Sequence, residues 1–200
     1  MTGHAAVRKT GQGEHVHLIY QDDPKNGQHV ELCYDALNRL KRRVTFTNDA
    51  FSAGNYSLVC SVPKADLGAF SASEESIYTY DQTDYGNAGL GRLTFVVDQT
   101  GNEGLYYDAR GRLLETAKFI SGKGAPTDFT YDDLDRLHEV IYPDGETLSY
   151  SYRSDGALES VTASIGTIFV SDIDYDLFGR ITKIAHGNGV EDRLSFVSAQ

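Results

Sequence analysis

The sequence predicts an all-β protein, built as an array of antiparallel β-hairpins that form a curved strip of sheet. Three observations carry that reading. Tyr and Gly are abundant, with 13 and 20 in 200 residues, while Pro (4), Met (1) and Trp (0) are scarce. Aromatic strands joined by glycine turns have this composition. Apolar and polar residues alternate with period two. A Tyr-Asp pair recurs, followed by Gly-Arg-Leu or a close variant.

The alternation marks the strands. Leu148, Tyr150 and Tyr152 alternate with Thr147, Ser149 and Ser151. Leu40, Val44 and Phe46 stand opposite Lys41, Arg43 and Thr45, and Leu93, Phe95 and Val97 repeat the habit, as do Phe169, Ile173 and Tyr175. Period two with one apolar face is the mark of a strand with one side buried. No segment carries a sustained helical stripe, so almost no helix is expected.

The repeat marks the turns. Its copies begin at Tyr34-Asp35, Tyr80-Asp81, Tyr107-Asp108, Tyr131-Asp132 and Tyr175-Asp176, with a degenerate copy at Tyr152-Arg153 that continues to Gly156. The fullest are Tyr107-Asp108-Ala109-Arg110-Gly111-Arg112-Leu113 and Tyr175-Asp176-Leu177-Phe178-Gly179-Arg180-Ile181. From Tyr80 onward the tyrosines are spaced by 27, 24, 21 and 23 residues, which fits one hairpin and its connection. Asp followed three residues later by Gly suits a type I turn closed by a left-handed residue and a bulge. Where Gly is replaced, Asn38 and Asp135 stand in its place. These residue types best tolerate left-handed backbone. Pro143-Asp144-Gly145 and Gly187-Asn188-Gly189 mark further turns.

Each tyrosine is expected to pack its ring on the sheet and to direct its hydroxyl at a polar partner. The arginines after the turn glycine (Arg92, Arg112, Arg136 and Arg180) are placed to form a ladder with aspartates of adjacent turns. The chain divides into N-terminal strands with the first repeat (1–47), an irregular insertion or eroded repeat (48–76) with one strand-like run from Tyr56 to Val62, and the main array (77–200). The copy at Tyr80 has a long turn running through Gly91, and long turns on one rim of a repeat array are the expected contact sites.

The repeat resembles the YD repeats of the Rhs family, which includes the teneurins and the C component of Tc toxins. The resemblance covers residues 30–190. It implies that such hairpins form a strip of sheet that spirals into a hollow β-shell. In bacterial members the shell encloses a toxic C-terminal effector domain, released through secretion machinery or a partner. In surface members it serves recognition. This chain is short for a closed shell, so the resemblance implies a partial strip: a shell fragment or the remnant of an Rhs gene. Its partners would be the remaining YD repeats and an effector domain, in the same chain or in trans. The other reading is a surface module that binds carbohydrate or protein.

Composition narrows the classes further. A net charge of −11 disfavours nucleic acid and anionic lipid. Residues 1–13 have no apolar signal core, and no stretch is long enough to span a membrane. Secretion or surface display would therefore use another route, or proceed as part of a longer chain. The basic run Arg39, Lys41, Arg42 and Arg43 reads as a solvated strand face. Cys33 and Cys60 match no zinc spacing and read as two part-buried thiols, with a bridge between them open.

Catalysis and cofactors find little support. His15, His17 and His29 lack a companion ligand at fixed spacing. His138 reads as a cross-strand contact. The aspartates recur in register, which a turn explains and a catalytic pair does not. They match no calcium loop. Gly86–Gly91 is followed by no Lys-Ser/Thr and no helix, so it is a turn and not a phosphate loop.

Overall fold

The structure, a computed structural model, describes residues 5–9, 16–23, 28–47 and 72–196. Fifteen strands fall in these residues: β1 (Ala5–Lys9), β2 (Val16–Asp23), β3 (Gln28–Tyr34), β4 (Leu40–Thr47), β5 (Ala72–Tyr80), β6 (Leu93–Val97), β7 (Gly101–Tyr107), β8 (Leu113–Ile120), β9 (Lys123–Tyr131), β10 (Leu137–Ile141), β11 (Thr147–Tyr152), β12 (Leu158–Ala163), β13 (Ile168–Tyr175), β14 (Ile181–His186) and β15 (Glu191–Arg193). They form one sheet in chain order, each strand hydrogen-bonded to the next. Among the described residues the sole helical element is a 3-10 turn, Asp84–Gly86.

The chain divides into two compact units, Met1–Leu105 with Lys118–Lys123, and Tyr106–Ala117 with Gly124–Gln200. In the second unit the pairing aligns Val140 with Leu148 and Leu148 with Ala163, while Glu139, Ser149 and Thr162 align on the opposite face. Val140 and Ala163 are buried. Period-two alternation thus becomes one apolar and one polar side across three strands. In the first unit the buried side chains are Cys33, Val44 and Phe46, joined by the polar Glu31, Thr45, Glu75, Asn87 and Thr94. The Thr94 hydroxyl donates to the Thr79 carbonyl at 3.2 Å. In β6 it is Thr94 that is fully buried, while Leu93, Phe95 and Val97 are half-buried.

Two readings change here. The run Arg39 to Arg43 is not one solvated face. Arg42 lies on the covered side with Cys33 and Val44, only 11% exposed, and its guanidinium meets Glu75 at 2.6 Å. A buried cation needs such a partner. Cys33 is a disulfide half-cystine and not a thiol, while Cys60 lies outside the described residues. So do residues 48–71, including the run Tyr56–Val62, together with His15 and the side chains of His17 and His29. The strand β5 begins at Ala72. His138 is exposed in β10.

Candidate functional site, a latch between hairpins

The turn motif folds as its chemistry dictates. In the first copy the N–H of Asp35 donates to the Arg39 carbonyl (2.9 Å) and the N–H of Asn38 to the Asp35 carbonyl (3.0 Å). The same two bonds close eight turns among the described residues, starting at Asp35, Asp108, Asp132, Tyr142, Arg153, Ala163, Asp176 and His186. The fourth turn residue is left-handed: φ is 84° at Gly111 and 75° at Gly179, and Asn38 and Asp135 adopt 65° and 63°.

The aspartate clamps its own turn. Oδ1 of Asp35 accepts the N–H of Leu37 and of Arg39, each at 2.9 Å. Its Oδ2 accepts Nε of Arg39 at 2.8 Å. Asp108, Asp132 and Asp176 repeat this with Arg112, Arg136 and Arg180, whose Nε lies 2.6–2.7 Å from Oδ2. The clamp holds these carboxyls below the usual range. For Asp132 the Arg136 guanidinium is the main cause, and for Asp35 it is the Arg39 N–H. In the degenerate copy Arg153 and Ala157 replace the pair, and Asp155 accepts only the Ala157 N–H, at 3.1 Å.

Beyond five of the tyrosine-led turns lies a second irregularity. Tyr34 pairs with Leu40, Tyr80 with Leu93, Tyr131 with Leu137, Tyr152 with Leu158 and Tyr175 with Ile181, and in all five hairpins the register then shifts. Such a bulge removes a carbonyl from the ladder. The β10–β11 ladder, for example, covers only Glu139–Ile141 and leaves Leu137 beyond it.

The tyrosine of the following hairpin satisfies that carbonyl. Tyr80 donates its hydroxyl to Leu40 at 2.8 Å, Tyr131 to Leu113 at 2.9 Å, Tyr152 to Leu137 at 2.7 Å and Tyr175 to Leu158 at 2.9 Å. The clamped arginine covers the ring face: Arg39 lies 4.4 Å over Tyr80, Arg112 4.7 Å over Tyr131 and Arg136 4.3 Å over Tyr152. One arginine therefore binds its own aspartate at its edge and the next hairpin's tyrosine at its face. Burial pushes the Tyr80, Tyr131 and Tyr152 hydroxyls up, so they remain protonated donors.

The expected arginine–aspartate ladder is present at Arg112, whose Nη1 reaches Asp135 at 2.6 Å. Arg136 and Arg180 hold the aspartates of their own turns. Arg92 contacts the Leu90 carbonyl of its own loop, at 3.0 Å. In that loop Gly91, with φ 76°, donates its N–H to Asp81 Oδ1 at 2.7 Å. Gly156 has φ 91° in the degenerate turn. Tyr107 closes β7, ahead of the Asp108 turn.

Two latch residues escaped the motif. Arg39 holds Asp81 through Nη1 (3.0 Å) and Nη2 (2.6 Å); it follows Asn38 as Arg136 follows Asp135, but the sequence reads it as part of a basic strand face. Phe196 lies 4.2 Å from Arg180. It stands as far after Arg180 as Tyr152 does after Arg136, which is the sequence signal that would have found it.

A profile of the teneurin YD-shell matches residues 70–192, more than half of the chain. The chain belongs to the teneurin YD-shell family. No curated protein matches it. Among solved structures, the YD-shell strip is similar to a crystal structure of TcdB2-TccC3-Cdc42, at 14% identity and TM-score 0.56, over 91% of this chain and 10% of that one. TcdB2-TccC3 without its hypervariable C-terminal region matches at 15% and 0.57, over 84% of this chain and 8% of that one. The Photorhabdus luminescens Tc holotoxin pore, with a mutation in TccC3, matches at 15% and 0.56 over the same shares of 84% and 8%. At such identity the likeness is one of fold. The YD-shell strip spans at most about a tenth of those chains. Among the described residues, no helix is long and apolar enough to cross a membrane and no metal-holding cluster occurs.

Proposed function

We propose that the chain is a non-catalytic structural strip of a β-shell, which encloses or presents an effector domain carried by a longer polypeptide or supplied in trans. The observation that supports this is the latch. The clamping aspartates hold turn N–H groups and guanidinium, four of the repeat tyrosines donate to carbonyls, and three of those rings lie under arginine. Groups so engaged build the sheet, and the clamping aspartates are committed to their turns rather than to acid–base work. The partners are further YD repeats and the effector. The protein acts outside the cell or at its surface.

The test begins with the DNA downstream of the Gln200 codon. A frame continuing through more Tyr-Asp hairpins into an unrelated domain supports containment. Resistance of that domain to protease in the intact polypeptide, lost when the shell is unfolded, completes the case. A stop codon at once, or a domain cleaved as fast in the intact polypeptide as alone, counts against it.

One observation favours a surface binding module. Tyr85 is 99% exposed, in the long turn between Asp81 and Arg92. Saturable binding on a glycan array, abolished by Tyr85→Ala, would support that reading over the shell.

A further inference from the structure

The Tyr-Asp turns are near copies of one another, so the shared motif does not tell a hairpin which neighbour to dock on. Strands of similar pattern slip in register unless something specifies the pairing. The neighbouring hairpins Asp108–Arg112 and Asp132–Arg136 depart from the motif at two positions. Arg110 stands where other turns have Leu37, Leu134 or Phe178, and Asp135 stands where others have Gly111, Gly156 or Gly179. The departures meet. Nη1 of Arg110 and Nη1 of Arg112 lie 2.5 and 2.6 Å from Asp135 Oδ1. Asp135 sits at φ 63°, as the fourth residue of these turns does, a conformation that glycine takes without strain.

We propose that Arg110, Arg112 and Asp135 form a register key that selects the Asp132–Arg136 hairpin as the neighbour of the Asp108–Arg112 hairpin. The alternatives are rejected by charge. In the hairpin Arg153–Ala157, the counterparts of Asp132 and Asp135 are Arg153 and Gly156. Docked there, Arg110 and Arg112 meet a cation at the Asp132 position and no carboxylate at the Asp135 position; the carboxylate of that turn, Asp155, stands one residue earlier, where it accepts the Ala157 N–H. In the hairpin Asp176–Arg180 the counterpart of Asp135 is Gly179, and Asp176 is held by Arg180 at 2.6 Å. Specificity of this kind rests on the repulsive element as much as the attractive one. The first unit repeats the device with different residues: Asp81, at φ 66°, accepts both Nη atoms of Arg39 from the preceding hairpin.

The test refolds the 200-residue chain from urea and counts the sets of amide cross-peaks in its heteronuclear spectrum. Wild type, Asp135→Gly, Asp135→Asn and Arg110→Leu are compared at about 0.01 M and about 1 M NaCl, where the screening length falls from about 30 to about 3 Å. Wild type is expected to give one set at low salt. Each variant is expected to give additional sets, with about five-fold more misdocked chains, a factor typical of coupled neighbours. Asn keeps the tolerance for left-handed backbone and Gly improves on it, so neither variant loses its turn. Asp135→Gly refolding to one set at both salts, with the wild-type shifts in both hairpins, would overturn the proposal. Asp135 would then be only a tolerated turn residue.

Discussion

Tyr152 gives its phenolic hydrogen to the Leu137 carbonyl at 2.7 Å, across 15 residues of sequence, while Arg136 lies 4.3 Å above its ring. That contact joins one hairpin to the next. Tyr152→Phe keeps the ring and leaves the carbonyl without its donor. A loss of about 1 kcal/mol is expected from urea denaturation. An unchanged midpoint and slope would mean that water serves the carbonyl equally well.

The degenerate copy is repairable. Tyr175 still donates to Leu158, but Ala157 supplies no guanidinium and Arg153 no carboxylate. Arg153→Asp combined with Ala157→Arg restores the clamp and covers the Tyr175 ring. The melting temperature is expected to rise by about 2–4 °C, the shift that a modest gain gives in a chain of this size. Either substitution alone should gain less, because each half of the clamp needs the other.

Phe196 is a latch ring without a hydroxyl. Arg180 stacks on it at 4.2 Å, and Leu194 donates its N–H to the Thr182 carbonyl at 2.9 Å, which places the ring beside the start of β14. Phe196→Tyr is expected to donate to the Ile181 carbonyl and to slow amide exchange at the β14–β15 end. Faster exchange in the variant would show that the hydroxyl finds no acceptor.

Acid should loosen the aspartate clamps. Asp35, Asp81 and Asp132 have folded pKa values below their unfolded values, held down first by the Arg39 N–H, the Arg39 guanidinium and the Arg136 guanidinium respectively. Their stabilisation is fully present above the unfolded value, about pH 4, and is lost as pH falls through the folded one. The melting temperature is expected to be level from about pH 7 to pH 5 as far as these groups act, and to fall below about pH 4. Asp132→Asn should show a shallower fall, and an equal slope would remove Asp132 from the account.

Gly179 tests the turn itself. A Cβ there meets nothing within 4 Å, so a substitution is limited by backbone alone, at φ 75°. Gly179→Val is expected to cost about 1–3 kcal/mol. Gly179→Asn should cost clearly less, since Asn38 occupies the same conformation in the first copy. Equal losses would point to something other than the left-handed backbone.

The turns were legible in the sequence because they are local. Five residues close each one, and the residue types at its first and fourth positions, Asp35 with Asn38 or Asp132 with Asp135, report the backbone directly. The alternation of Leu148, Tyr150 and Tyr152 likewise reported which side of β11 is apolar. Tertiary structure alone decided what the tyrosine hydroxyl and the arginine face would meet. Tyr80 reaches Leu40 across 40 residues, and the acceptor lies beside a bulge that follows the Asp35 turn. The bulge has no fixed residue type: the residue after the paired Leu or Ile is Lys41, Thr94, His138, Glu159 or Thr182. For the same reason Arg39, in a copy with Asn38 in place of Gly, and Phe196, which lies outside the Tyr-Asp pattern, join the latch. They are there because pairing brings them to the site, and pairing between hairpins is a property of the assembled sheet.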